Sequence, residues 1–119
     1  MKDYKKSGEI KGDLIINGNL ILVGNLFVEK KIKVNGYIDC AGYSIEAGGS
    51  IKAGGSIKAG DSIEAALYIK CKTTIKVGIY IFAGVKTWSK LEEGDDVIEC
   101  EKLEGGEIKL GKLVETKND

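Results

Sequence analysis

A six-residue spacing of large aliphatic residues runs through most of this chain. From position 14 to position 81, Leu or Ile recurs every six residues, with one step of seven between Ile38 and Ile45. A second apolar or small residue stands two positions after each of these. Residues i and i+2 lie on one face of a strand, so each hexad predicts a short strand followed by a corner. The first positions of the hexads are Leu14, Leu20, Leu26, Ile32, Ile38, Ile45, Ile51, Ile57, Ile63, Ile69, Ile75 and Ile81.

This repeat predicts an all-β fold, a single-stranded triangular β-solenoid in which each turn buries its core against the next. A helix is excluded because the apolar positions scatter around a 3.6-residue wheel and because Gly at most repeats costs about 1 kcal/mol each there. With three hexads to a turn, Leu14 to Ala83 makes about four turns. The seven-residue step near Gly42 predicts a bulged corner that keeps the later isoleucines inward.

The residues between the inward positions predict the surface. Taken every third hexad, they form three outward columns, two rich in lysine and one with an acidic pair between two phenylalanines. We expect the first column to contain Ile15, Lys33, Lys52 and Lys70, the second Ile21, Asp39, Lys58 and Lys76, and the third Phe27, Glu46, Glu64 and Phe82. Such columns serve either as solvated faces or as surfaces that contact a partner. The partner-binding candidates are Phe27, Glu46, Glu64, Phe82, Lys52, Lys58, Lys70 and Lys76, together with Trp88 beyond the hexads.

The two ends of the repeat divide the chain into three parts. Residues 1–11 are predicted to be a short lead or cap, residues 12–85 the solenoid, and residues 86–119 an acidic capping segment with a β-hairpin near Gly105 and Gly106. Trp88 would then either cover the last turn or anchor a partner. If the solenoid assembles end to end, the candidate contacts are Ile10, Leu14 and Ile16.

The composition argues against catalysis and cofactors. The chain has 18 basic and 18 acidic residues, contains no histidine, and takes all its positive charge from lysine because it has no arginine. Histidine is the commonest general base and arginine the favoured reader of bases and phosphates, so we expect neither an enzyme nor specific nucleic-acid binding. Glu46 and Glu64 would stand one rung apart, about 5 Å, but on a flat face. We therefore predict no catalytic, cofactor-binding or metal-binding residues.

Cysteine usage and hydropathy suggest the compartment. The three cysteines form no C-x-x-C pair and are odd in number, which favours structural thiols over disulfides or a metal site. No run of about 18 apolar residues predicts a membrane span. We expect a cytoplasmic protein.

The stretch "GDLIINGNLILVGNLFVEKKIKVNG", residues 12–36, resembles the recurring G-[DN]-L-x-[IV]-x-G phrase of bactofilins, the polymer-forming β-helical cytoskeletal proteins of bacteria. Gly12, Asp13, Leu14, Ile16 and Gly18 carry the first copy, and the likeness extends over residues 12–84. The resemblance implies a triangular helix that assembles end to end, without nucleotide, through apolar terminal turns. The partner would then be the protein itself, as a homo-oligomer or polymer.

A second hypothesis keeps the same fold but not the self-assembly. A small, lysine-rich solenoid with a cap is also similar to accessory proteins of phages and mobile elements, including anti-CRISPR proteins that inhibit a host defence complex by binding to it. In that case the solenoid faces and the acidic tail would dock onto the host complex, and a capped monomer is expected.

Overall fold

A computed structural model describes residues 2–86, 90 and 92–116, and it is an all-β solenoid of about six turns. Every strand pair among these residues is parallel, and each strand between the two ends pairs with the strand one turn before and one turn after it. The described residues contain no helix long and apolar enough to cross a membrane. The solenoid predicted from the hexads is therefore confirmed.

The strands stack into three faces, which we name A, B and C. Face A consists of β2 (Leu14–Ile16), β4 (Ile32–Val34), β7 (Ile51–Ala53), β10 (Ile69–Cys71), β13 (Val97–Cys100) and β16 (Lys112–Glu115). β1 (Asp3–Ile10) and β3 (Asn19–Val28) each turn a corner, with their first halves on face B and their second halves on face C. Face B continues through β5 (Ile38–Asp39), β8 (Ile57–Ala59), β11 (Thr74–Val77) and β14 (Lys102–Glu104). Face C continues through β6 (Ile45–Ala47), β9 (Ile63–Ala65), β12 (Tyr80–Ala83) and β15 (Glu107–Leu110).

The predicted count of four turns is too low because strands beyond the hexads join the stack at both ends. At the amino-terminal end β1 pairs in parallel with β3. At the other end β13, β14 and β15 pair in parallel with β10, β11 and β12, and β16 pairs with β13. The β-hairpin predicted within residues 86–119 is therefore wrong, since Gly105 and Gly106 connect face B to face C instead of reversing the chain.

The core is a column of aliphatic side chains enclosed by the three faces. The twelve leucine and isoleucine positions of the hexads are all buried, and the small residues two positions later lie beside them. A parallel sheet whose strands are only three residues long gains little stability alone, so this shared column holds successive turns together. Tyr4 and Ile10 extend it at the amino-terminal end, and Leu103 and Ile108 at the carboxyl-terminal end.

The seven-residue step forms a distinct corner, as its spacing predicts. Ala41 adopts a positive φ of 51°, and its N–H donates to Asp39 Oδ1 at 2.9 Å. The Tyr43 N–H donates to the Cys40 carbonyl at 2.9 Å and closes the turn. The extra residue is absorbed at this corner, so that Ile45 remains buried in register with Leu26.

Other corners stack closely on one another, which explains their glycines and asparagines. A Cβ added to Gly54 would clash with the carbonyl oxygen of Asn35 in the preceding turn. Asparagine side chains bond across turns, with Asn35 Nδ2 donating to Asn17 Oδ1 at 2.8 Å and the Ser44 N–H donating to Asn25 Oδ1 at 2.9 Å. Short polar side chains thereby satisfy backbone groups that the strands leave unpaired.

The hexad repeat ends after β12, although the Gly84, Val85 and Lys86 N–H groups still donate to carbonyls of the preceding turn. Between β12 and β13, Lys86 Nζ lies 3.3 Å from Asp95 Oδ2, and the Glu92 N–H donates to the same oxygen at 2.8 Å. These contacts, the backbone one first, lower the pKa of Asp95. From β13 onward the inward positions Ile98, Leu103, Ile108 and Leu113 follow one another at steps of five residues.

Candidate functional site

Strand pairing confirms the three outward columns predicted from the spacing. On face A, Lys33, Lys52 and Lys70 are consecutive partners in the ladder, and Ile15 precedes them. The columns of faces B and C also follow the predicted order and each gains members at both ends. The full columns are Ile15, Lys33, Lys52, Lys70, Glu99 and Val114 on face A, Lys5, Ile21, Asp39, Lys58, Lys76 and Glu104 on face B, and Glu9, Phe27, Glu46, Glu64, Phe82 and Leu110 on face C.

The acidic pair lies at the centre of face C. Glu46 and Glu64 are direct partners in adjacent turns, and both are partly buried. A hydrogen bond to Glu46, followed by desolvation and the charge of Glu46, raises the pKa of Glu64 to about 7. Ionising both carboxyl groups places like charges side by side, which favours the protonated form of Glu64.

Aromatic side chains lie above and below this pair. Phe27 is exposed, and together with Glu9 and Glu46 it lines a shallow depression of about 500 Å³. Phe82 is partly covered, since its ring meets the Tyr80 ring edge-on with the centroids 6.1 Å apart. Face C is therefore a flat acidic and aromatic surface, on which the carboxyl pair is not enclosed by a cleft.

Faces A and B present lysines that form no ion pair in the described part of the chain, although Asp39, Glu99 and Glu104 are the column neighbours of Lys58, Lys70 and Lys76. Among the described residues, Lys52, Lys58, Lys70 and Lys76 make no ion pair. The Lys70 ammonium lies over the Tyr68 ring, 4.6 Å from its centroid, which is a cation–π contact. These lysines stack at the spacing of parallel strands and repel one another, so their column favours an acidic neighbour.

The carboxyl-terminal end of the solenoid is an apolar surface that the sequence patterns did not identify. No described residue pairs with the outer edges of β14, β15 and β16. The core side chains Leu103, Ile108 and Leu113 are only partly covered there, with Leu113 at 37% exposure. Their five-residue spacing could have predicted these inward positions, but only after the hexad repeat is recognised to end at β12.

The amino-terminal end is the counterpart of this surface. β1 and β2 have outer edges to which no described strand pairs. The predicted assembly residues lie here: Leu14 and Ile16 are buried in β2, and Ile10 is partly buried in β1. Ile15, on the outside of β2, has 62% of its side chain exposed. The structure thus brings the three candidates to one end, but beneath the surface and not on it.

The cysteines lie inside the solenoid. Cys40, Cys71 and Cys100 are free and buried, in accordance with the prediction of structural thiols. Burial raises the pKa of Cys40 and of Cys71 to about 12, so neither thiol is reactive near neutral pH. Within residues 2–86, 90 and 92–116, no group of three or more Cys, Asp or Glu side chains is arranged to hold a metal ion.

Trp88, the remaining predicted contact, lies outside the described residues. Comparisons with protein-family models, with curated proteins and with solved structures find no match to this chain. The function is therefore inferred from the faces and the two ends of the solenoid.

Proposed function

We propose that this protein is a non-enzymatic structural protein that assembles end to end through the two open ends of its solenoid. One observation supports the proposal above the others: the segment after residue 96 continues the three faces, and no described strand pairs with its outer edges. An open edge carries a row of unpaired N–H and C=O groups, which favours the addition of further strands. The described part of this segment therefore extends the stack and leaves the end uncovered.

The character of the end surfaces agrees with this function. Partly exposed core side chains at the carboxyl-terminal end, Leu103, Ile108 and Leu113, lose their contact with water when another turn covers them. Removing a large aliphatic side chain from water stabilises by about 1.5–3 kcal/mol. The resemblance of residues 12–36 to the bactofilin phrase supports the same function.

Light scattering during gel filtration, with negative-stain microscopy of the same fractions, tests the proposal. We expect the 119-residue chain to form oligomers or filaments whose mass grows with concentration. Leu113→Lys should weaken this association at least about tenfold, because it places a charge on the apolar end. Tyr43→Lys is the matched control, since Tyr43 has a similar exposure of 40% but lies at a corner in the middle of the solenoid.

Two results would contradict end-to-end assembly. A wild-type chain that remains monomeric at every concentration would refute it directly. Equal loss of association in the two variants would show that the contact does not involve the end.

A second function is favoured by the lysine columns. Lysines that form no ion pair among the described residues suit a partner protein with an acidic surface, as in the binding and inhibition of a host complex. A monomer would favour this function, and Lys52→Glu and Lys58→Glu would then identify the face that binds. The same reversals should leave end-to-end assembly unchanged, because both residues lie in middle turns.

A further inference from the structure

We infer that the copies join head to tail, the amino-terminal end of one on the carboxyl-terminal end of the next, so that the assembly is polar. This inference rests on the proposed end-to-end function and specifies which ends meet. Three independent features of the two ends carry it: the phase of the strands, the charges placed inside the end turns, and the outward residues at the joint.

The last strand of one copy and the first strand of the next lie on successive faces of the solenoid. The first strand segment, residues 3–6, lies on face B, and the last strand, β16, lies on face A, the face that precedes face B along the chain. The outer edges at the carboxyl-terminal end are β14, β15 and β16 on faces B, C and A. Those at the amino-terminal end are the two halves of β1 on faces B and C, and β2 on face A. A second copy placed head to tail therefore continues all three faces in parallel.

Only two charged residues of the described strands occupy inward columns, one at each end and with opposite charges. Lys6 is the partner of the buried Leu22 on face B and is itself partly covered. Glu115 is the partner of the buried Cys100 on face A. Its Oε2 accepts a hydrogen bond from the Leu103 N–H at 3.2 Å, so the carboxylate reaches across the open end toward face B.

The hydrogen bond from Leu103 to Glu115 takes the place of one that the next turn normally supplies. Elsewhere on face B, the Leu20 N–H donates to the Tyr37 carbonyl one turn later at 2.9 Å, and the Ile38 N–H donates to the Ser56 carbonyl at 2.8 Å. In a head-to-tail joint the corresponding acceptor for Leu103 is the Asp3 carbonyl of the second copy. Glu115 is then released to pair with Lys6, which has no ion-pair partner among the described residues.

The alternative joints bring only one sign of these charges to the contact. A joint of two amino-terminal ends contains two copies of Lys6 and no Glu115, and a joint of two carboxyl-terminal ends contains two copies of Glu115 and no Lys6. Like charges at a buried contact select against a wrong partner, whereas opposite charges define register. The outward columns also favour the head-to-tail joint. On face B it places Lys5 of the second copy next to Glu104, and on face A it places the exposed Ile15 next to the exposed Val114.

Cysteine cross-linking identifies which ends meet. Adjacent parallel strands are about 4.8 Å apart, within the Cα separation that a disulfide spans. We expect Lys5→Cys and Glu104→Cys chains, oxidised together, to give a covalent dimer, and each chain oxidised alone to give none. Wild-type protein is the control for the native cysteines, all of which are buried.

A charge exchange tests the buried pair. Lys6→Glu and Glu115→Lys should each reduce the apparent association constant by about tenfold or more, and the double variant should regain most of it. Circular dichroism of each variant shows whether the solenoid is still folded. Restoration in the double variant also excludes misfolding as the cause of the single losses.

The outcomes separate this inference from the function on which it rests. A cross-link with Lys5→Cys alone or with Glu104→Cys alone would overturn the head-to-tail polarity while leaving end-to-end assembly in place. Oligomers without any cross-link would overturn the head-to-tail joint, and the comparison of Leu113→Lys with Tyr43→Lys then shows whether an end takes part in the contact at all. Monomers in every sample would refute the proposed function itself.

Discussion

The middle turns of the solenoid and its last turn are built on the same three faces but follow different repeats. Between Ile45 and Ala83 the inward positions recur every six residues, and all are apolar and buried. Between Ile98 and Leu113 they recur every five, and the side chains after Ile98 in this series are partly open to solvent. The inward column that contains Cys71 and Cys100 ends in Glu115.

The two regions therefore have different roles: the middle turns stabilise the fold, and the end turns provide the surfaces for the proposed contact with another molecule. In the middle, each turn is covered on both sides, so its residues are explained by packing and by the close approach of the corners. At the ends, one side of the turn has no described neighbour, and there the chain places charges in inward columns and aliphatic side chains at the surface. The middle therefore accounts for stability, and the ends for the proposed assembly.

The largest expected effect comes from removing core side chains in the two regions. Ile57→Ala in a middle turn should lower the free energy of unfolding by about 2–5 kcal/mol, because Ile57 is fully buried and its neighbours cannot close the cavity. Ile108→Ala at the carboxyl-terminal end should cost roughly half as much, since that side chain is already partly hydrated. Urea unfolding at low protein concentration measures both.

The concentration dependence sharpens this test. Under assembling conditions the cost of Ile108→Ala should rise, because a second copy covers the residue, whereas the cost of Ile57→Ala should stay constant. Equal costs for the two substitutions at low concentration would show that the last turn is as well packed as the middle ones, contrary to the comparison.

Sequence alone predicted the middle turns and failed at the ends, for a physical reason. A hexad with Ile at its first position and a small residue two places later allows few arrangements, so the faces, the outward columns and the bulged corner near Gly42 followed from spacing. Beyond Ala83 the hexad spacing is lost over residues 84–96, and a step of five between single aliphatic residues is as typical of a hairpin as of a turn of the stack. The parallel pairing of β13, β14 and β15 depends on contacts with strands about 28 residues earlier, and that of β16 on β13, so no local pattern reveals it.

Of the candidate contact residues, those in the middle turns were predictable from the sequence and those at the ends were not. Lys52, Lys58, Lys70 and Lys76 were placed correctly on their faces by counting. The inward positions of Lys6 and Glu115 could not be predicted from the sequence, because they become visible only when each strand is paired with its neighbour in the stack. Their roles as contacts, like those of the face residues, remain predictions.

An intermediate effect is expected at the corners of the middle turns. Gly54→Ala should destabilise the protein by about 1–3 kcal/mol, because the added Cβ would clash with the Asn35 carbonyl and force the two turns apart. Gly42→Ala is the matched control, since a Cβ there meets no atom within 4 Å. Its effect should stay within about 0.5 kcal/mol.

Thermal unfolding followed by circular dichroism distinguishes these two variants. A melting temperature that falls for Gly54→Ala but not for Gly42→Ala would confirm that close stacking of the corners, and not a general preference for glycine, determines the middle turns. Equal losses would contradict the close approach.

The smallest effect concerns pH and the acidic pair of face C, which also belongs to the middle turns. The pKa of Glu64 is raised from 4.5 to about 7, chiefly by its hydrogen bond to Glu46, so the folded state holds this proton more tightly than the unfolded state does. Its contribution to stability is fully present below pH 4.5 and is lost as the pH rises through about 7. Because Glu64 is only partly buried, solvent screens this interaction, and we expect on the order of 1 kcal/mol or less, a few degrees in melting temperature.

The difference in melting temperature between pH 4.5 and pH 8 measures this contribution, and Glu64→Gln isolates it from the other carboxylates. The variant should lose the part of the pH dependence due to the pair, whereas Glu93→Gln, at an exposed position outside the strands, should retain it. Unchanged pH dependence in Glu64→Gln would mean that Glu46 and Glu64 do not share a proton. The middle turns would then carry two ionised carboxylates side by side on face C, as they carry neighbouring lysines on faces A and B.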